Sequence, residues 1–269
     1  MNSESIFHGA MKPEEEHRRD ICVVGRWIKE HGFAASTDGN ISVRLGPNRI
    51  LVTPTRMSKG MMAPDDLVVT DLTGRRLGGL RQASSELGMH LMIYRLRPEV
   101  NAVCHAHPPY ATGFAVAGMA LDKPLLCEMV MDLGCVPLAH YGTPGTSELA
   151  EAIEPLVPGH DAILMANHGV VTCGYDLLTA FQRMETTEHF AHVAFVSELL
   201  GRQNLLTAAD LEKLEARRVR HVAREAAGTE HDSAHAEYPN DAAADRVTLT
   251  RRELESLIDE AIQKDRAHR

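Results

Sequence analysis

His105-Ala106-His107 constrains this chain more than any other stretch. It closes an apolar, strand-like run, Val100-Asn101-Ala102-Val103-Cys104, and is followed at once by Pro108-Pro109. Along a strand, side chains two apart share a face, so both imidazoles can aim at one point. The prolines end the ladder just beyond them. A neutral imidazole nitrogen binds zinc at about 2.0–2.1 Å. The pair is therefore half of a metal site, although H-x-H alone fits better one buried and one exposed histidine with no shared task.

A third histidine has a similar setting. Asp161-Ala162-Ile163-Leu164-Met165-Ala166 reads as a buried strand, then comes Asn167-His168-Gly169, and Val170-Val171-Thr172 resumes the apolar run until Gly174. A histidine between Asn and Gly at such a transition suggests a tight turn or bulge that aims the ring inward. A carboxylate lies upstream. Ser84-Ser85-Glu86 precedes an amphipathic helical stretch from Leu87 through Tyr94 that ends near Arg97-Pro98. The serines are natural N-cap residues, and Glu86 falls in the first turn, where the helix dipole favours a negative charge. Three histidines and a carboxylate make a tetrahedral N/O set for Zn²⁺ or another divalent first-row metal. A loosely held glutamate that leaves the metal becomes a general base beside a Lewis acid. That pairing suits proton abstraction next to a carbonyl, hence enediolate chemistry.

Several segments recur in a telling order: Thr37-Asp38-Gly39-Asn40-Ile41-Ser42-Val43-Arg44, Val52-Thr53-Pro54-Thr55, Ser84-Ser85-Glu86, His105-Ala106-His107, Tyr141-Gly142-Thr143-Pro144-Gly145-Thr146 and Asn167-His168-Gly169. Together, from about Arg18 to about Leu206, they resemble the class II aldolase/adducin family, whose bacterial members include L-fuculose-1-phosphate aldolase and L-ribulose-5-phosphate 4-epimerase. The resemblance implies zinc held by His105, His107 and His168, with Glu86 as fourth ligand and acid/base. It implies a phosphate site at Gly39, Asn40, Thr55, Ser84 and Ser85, which suits the anion-binding tendency of Gly-containing turns, hydroxyls and helix starts. It implies a homotetramer with active sites between subunits, where Tyr141 reaches a neighbour's site and serves the aldehyde oxygen.

The implied activity is zinc-dependent retro-aldol cleavage of a small hydroxy-ketone phosphate, such as a sugar phosphate, through a metal-stabilised enediolate. Aldolases of the family carry Glu in the S-S-E/D motif and pentulose epimerases carry Asp, so Glu86 leans toward an aldolase. Decarboxylation, epimerisation or dehydration of a related sugar or keto-acid phosphate at the same site is the alternative. A non-catalytic, adducin-like interaction module is a third reading, set against the retained metal residues. The chain also departs from the pattern. Arg56 stands where the sugar-phosphate aldolases place a glycine; it either binds a phosphate or carboxylate bidentately or points to solvent. The family's C-terminal catalytic tyrosine has no match, and Tyr238 does not inherit its role.

Formal net charge is −9 over 269 residues, which argues against a general nucleic-acid binder and leaves a small-molecule substrate as the expected partner. No apolar run approaches the roughly 18 residues of a membrane helix, and the polar start of the chain lacks a signal-peptide core. Five cysteines, Cys22, Cys104, Cys127, Cys135 and Cys173, without a C-x-x-C spacing suggest reduced, buried thiols and a cytoplasmic setting. Cys104 should face away from its neighbour His105.

The periodicities predict helices over 14–31, 109–117, 146–156 and 176–200. Strands are predicted over 41–43, 49–53 and 67–70, with a short one in 132–138 that ends near Tyr141, and a turn at 71–75. Helices flanking a central, mostly antiparallel sheet in a three-layer α/β/α arrangement fit this order and the family. Glu185, Glu188, His189 and His192 mimic a metal cluster, but helices with mixed polar faces commonly carry such residues and Glu188 and His192 can pair along the helix. The catalytic domain is expected at 1–206 and a helical C-terminal extension at 207–269. The extension divides into a helix at 207–226, a flexible linker at 228–245 and a helix at 247–266. That last helix has a capping box at Thr250-Arg251-Arg252-Glu253 and an apolar stripe of Leu254, Leu257, Ile258 and Ile262.

Overall fold

The computed structural model describes residues 12–226; the expected linker, the last helix and Tyr238 lie outside them. The chain opens with α1 (Glu14–Glu30), whose first turn carries Glu14, Glu15 and Glu16 and whose last carries Lys29, each sign suiting its end of the helix dipole. Gly32, at φ +74°, ends it, and the Phe33 amide bonds back to the Ile28 carbonyl in the usual left-handed helix stop.

Eight strands then form one sheet: β1 (Asn40–Gly46), β2 (Arg49–Val52), β3 (Val68–Thr70), β4 (Arg76–Gly78), β5 (Ala102–Ala106), β6 (Leu138–Ala139), β7 (Ala162–Met165) and β8 (Gly169–Gly174). Their order is β4-β3-β2-β1-β5-β8-β7-β6. All neighbours are antiparallel except β6 and β7. Helices α2 (Leu87–Leu96), α3 (Pro109–Val116), α4 (Cys127–Asp132), α5 (Ser147–Ile153), α6 (Leu177–Leu199) and α7 (Ala208–Ala226) complete the described chain.

Strand alternation divides the core in two. On one face Ile41, Val43, Cys104 and Ala106 pack with Ile21, Val24 and Ile28 of α1 and with Phe181, Met184 and Phe190 of α6. On the other, Ile50, Val52, Val103 and Val171 pack with Met89 and Ile93 of α2 and with Leu149 and Ile153 of α5. Each fully buried Ile, Val, Leu, Met or Phe among them contributes roughly 1.5–3 kcal/mol. The result is the expected three-layer α/β/α architecture around a mostly antiparallel sheet. Cys104 faces the α1/α6 layer and so points away from His105, as alternation requires.

Three local expectations need correction. The short strand expected in 132–138 and ending near Tyr141 is β6, but it is confined to Leu138–Ala139: α4 ends at Asp132, Val136 makes only an isolated bridge to Leu121, and Pro137 has no N–H to extend a ladder. The expected turn at 71–75 is present, the Gly74 N–H donating to the Asp71 carbonyl at 3.0 Å, and it leads into a three-residue edge strand, β4. Strand β8 includes Gly174 as its last residue, where the lack of a side chain lets the start of α6 pack close: an added Cβ would lie 2.7 Å from the Ala180 amide nitrogen. Not all thiols are buried, for Cys127 is exposed and Cys135 half-buried, while Cys22, Cys104 and Cys173 are buried; no disulfide joins any of the five.

Candidate metal centre

The centre forms where the ends of β5 and β7 meet the start of α2. His105 is the penultimate residue of β5 and fully buried. His107 lies just past the strand end, its backbone N–H donating to the Phe33 carbonyl at 2.7 Å. His168 sits in the turn from β7 to β8. Asn167 takes φ +56°, a conformation Asn tolerates better than most. Gly169 is obligatory for packing: an added Cβ would come within 2.6 Å of both the Ala106 carbonyl oxygen and the His107 ring.

One ligand nitrogen from each of His105, His107 and His168 lies within 4.8 Å of the others, and the three ring centroids are 4.7–5.0 Å apart. Glu86 joins them. Its Oε2 lies 3.3 Å from His105 Nε2, its Oε1 3.2 Å from His168 Nε2, and the Nε2 atoms of His105 and His107 are 3.2 Å apart. Ligands at about 2.0–2.1 Å from a tetrahedral ion are separated by about 3.3–3.4 Å. The donor set therefore fits a divalent cation in both chemistry and spacing.

The electrostatics agree. His105 Nδ1 donates to the Val170 carbonyl oxygen at 2.8 Å, which leaves the Nε2 lone pair for a metal. Burial drives the His107 imidazole down to about 3, and the neighbouring His105 and His168 rings push the same way. It is thus held in the neutral, ligating form. Burial raises the Glu86 carboxyl, but the charge and hydrogen bonds of His105 and His168 outweigh that and leave it well below the usual carboxylate range. The His168 Nδ1 is buried without a protein partner.

Glu86 is the N-cap of α2 and not part of its first turn, and no side chain caps that helix. Ser84 instead accepts a hydrogen bond from the Glu86 amide at 3.3 Å. The anion-binding candidates are gathered nearby. Ser84 N–H donates to the Thr53 carbonyl at 3.1 Å and Thr55 N–H to that of Gln82 at 3.0 Å, which stitches the loop after β2 to the serines. Ser84 is buried and Ser85 exposed.

Gly39 has φ +74°, and an added Cβ would lie 2.7 Å from the His105 carbonyl oxygen. Its freedom thus serves the contact with β5. Asn40 is 3 % exposed, and its side-chain N–H donates to Glu86 Oε2 at 2.7 Å. Arg56 is exposed and takes φ +55°, a conformation that glycine adopts more readily than any other residue. Tyr141 is 55 % exposed and stands outside the histidine cluster, although Gly145, four residues on, lies against Ser85.

The residues on α6 have other work. Glu188 accepts from the Tyr110 and Ala111 amides at 2.9 and 2.8 Å, so it caps α3. His192 stacks on Tyr110 at 3.9 Å, and Glu185 pairs with His31 at 3.2 Å.

Sequence reasoning missed two groups. Lys59 is 2 % exposed and donates to the Thr37 and Met57 carbonyls at 2.9 and 2.6 Å. It ties together the two loops that carry Gly39 and Arg56. Burial lowers its ammonium to about 8, against the opposite pull of Asp38 and Glu86. The second group, Ser42, His90 and Tyr94, lies behind Asn40. Its signal was present: Glu86, His90 and Tyr94 follow one another at helical i, i+4 spacing through an otherwise apolar helix.

Among curated proteins, the chain is 36 % identical over 200 residues to a 3-oxo-tetronate 4-phosphate decarboxylase of Haemophilus influenzae, covering 72 % of this chain and 93 % of the relative. It is 32 % identical over 202 residues to a 5-deoxy-D-ribulose 1-phosphate aldolase of Bacillus thuringiensis, covering 74 % and 94 %. Among solved structures, an L-fuculose 1-phosphate aldolase matches with a TM-score of 0.71 at 29 % identity, covering 78 % of this chain and 99 % of that one. The family model for the Class II Aldolase and Adducin N-terminal domain matches residues 19–195, a span that contains all three histidines and Glu86. The chain belongs to the class II aldolase and adducin family.

Proposed function

We propose that this protein is a zinc-dependent carbon–carbon lyase that cleaves a small phosphorylated hydroxy-ketone by a retro-aldol step. The observation that carries this reading is the seat of Glu86, with one oxygen 3.2 Å from His168 and the other 3.3 Å from His105. A carboxylate so placed serves either as a ligand or as a proton carrier. His105, His107 and His168 would hold the ion, with Glu86 as an exchangeable fourth ligand, and the ion would supply Lewis-acid polarisation of the substrate carbonyl.

Glu86 then does the proton work. In the condensing direction it takes a proton from the carbon beside the carbonyl, and in cleavage it returns that proton. Gly39, Asn40, Thr55, Ser84 and Ser85 would receive the phosphate through backbone N–H groups and hydroxyls. Tyr141 would reach in from a neighbouring copy within a homotetramer to serve the aldehyde oxygen; its exposure on the isolated chain supports that role. The five thiols without a disulfide support a cytoplasmic setting.

Decarboxylation of an oxo-acid phosphate is the second reading, favoured by Arg56, an exposed cation beside the anion-binding loop. That reaction needs a partner for a carboxylate and no base for a hydroxyl. Elemental analysis of the purified protein, with sugar phosphates assayed against oxo-acid phosphates, tests both. Aldol cleavage by protein stripped of metal would sink the mechanism.

A further inference from the structure

Asn40, His90, Ser42 and Tyr94 form a buried line of polar groups leading away from Glu86; they are 3 %, 0 %, 0 % and 2 % exposed. Asn40 Nδ2 lies 2.7 Å from Glu86 Oε2. His90 Nε2 is 2.5 Å from Asn40 Oδ1, and His90 Nδ1 is 2.7 Å from Ser42 Oγ. That hydroxyl is 2.8 Å from the Tyr94 hydroxyl.

The direction of every bond follows from Glu86. A carboxylate only accepts, so Asn40 must present its amide N–H to it and its carbonyl to His90. His90 must then carry its hydrogen on Nε2. Complete burial drives its imidazole down to about 3, so Nδ1 is bare and accepts from Ser42. Ser42 in turn accepts from Tyr94. No member can reverse without stranding a buried polar group, at about 1–3 kcal/mol each.

We infer that His90 is a positioning residue: locked by Ser42 and Tyr94, it fixes the Asn40 amide, which aims the Glu86 carboxylate at the metal histidines. The Asn40 side chain is thereby committed to Glu86 and His90, and its backbone is paired with β5 opposite His105, which leaves at most one side-chain N–H for a substrate anion. The inference rests on the reading of Glu86 as the proton carrier.

The test pairs kinetics with a measurement independent of turnover. His90→Phe removes the donor, and His90→Gln retains one. His90→Phe should lower kcat about 10–100-fold with KM within twofold and bound metal retained, and His90→Gln should recover most of the loss. A raised KM with unchanged kcat, or equal losses in both variants, would overturn the inference. On the unaltered protein, nitrogen NMR of the labelled histidines should find His90 as the Nε2–H tautomer between about pH 6 and 8. An Nδ1–H tautomer or an imidazolium overturns the inference even if His90→Phe does not fold. A wild-type protein inactive on every substrate sinks the lyase reading and leaves the NMR result standing.

Discussion

His105 Nδ1 donates to the Val170 carbonyl at 2.8 Å, so one strand orients Nε2, the nitrogen its neighbour offers to the candidate metal centre. The ring cannot turn without stranding that buried group, which makes His105 the fixed point of the centre.

Ligand and proton-carrier variants should therefore separate. His107→Ala should lose bound metal and turnover together. Glu86→Gln should retain most of the metal and the fold, and lose about 10²–10⁴-fold in kcat. Elemental analysis beside steady-state kinetics checks this; normal turnover in Glu86→Gln would remove the proton role.

Gly39→Ala should destabilise the protein by more than about 2 kcal/mol, combining the left-handed backbone with a clash at the His105 carbonyl. Urea unfolding measures it. The damage should extend to metal content, because the displaced carbonyl belongs to His105, a proposed ligand.

Arg56→Gly relieves a positive φ and should leave stability unchanged or raise it by up to about 1 kcal/mol, the relief being partly offset by glycine's freer unfolded chain. If Arg56 grips a substrate carboxylate, KM for an oxo-acid phosphate should rise about tenfold with sugar phosphates unaffected. No change with either substrate assigns Arg56 to solvent.

Lys59 predicts a pH dependence. Its ammonium titrates at about 8 in the fold and near 10.5 in the unfolded chain. Between those values the unfolded chain holds more protons at this position, so its contribution to stability rises with pH across that window. Below the window the cost of burying the charge is constant. The stability of wild type minus that of Lys59→Met should therefore grow by up to about 3 kcal/mol on going from pH 8 to 10.5. Burial raises the Cys22 and Cys173 thiols to about 11 and 12, which acts in the opposite sense but cancels between the two proteins. A flat difference would refute the assignment.

Much of this was legible in the sequence. The H-x-H pair, the Asn-His-Gly turn and the Ser-Ser-Glu segment converge because strand alternation and turn chemistry are local rules. The long α6 followed from its periodicity. What escaped were features decided by tertiary contact. The edge strand β4 is too short to show a pattern. A lysine between two loops looks like any surface lysine until both loops close over it. His90 resembled one more polar residue on an amphipathic helix, because its partner Asn40 lies fifty residues away on β1. The cap on α3 comes from α6, which no reading of α3 alone could supply.

The β5–β8 pairing sets His105 opposite Val171, and the His105 ring bonds to Val170, 65 residues along the chain. Closing so long a loop is entropically costly and comes before any contact repays it. The three imidazoles therefore exist as a set only once the middle of the sheet has assembled. An ion that needs all three stabilises the finished sheet over every partly built one, so it acts on the last stage of folding and not on the first.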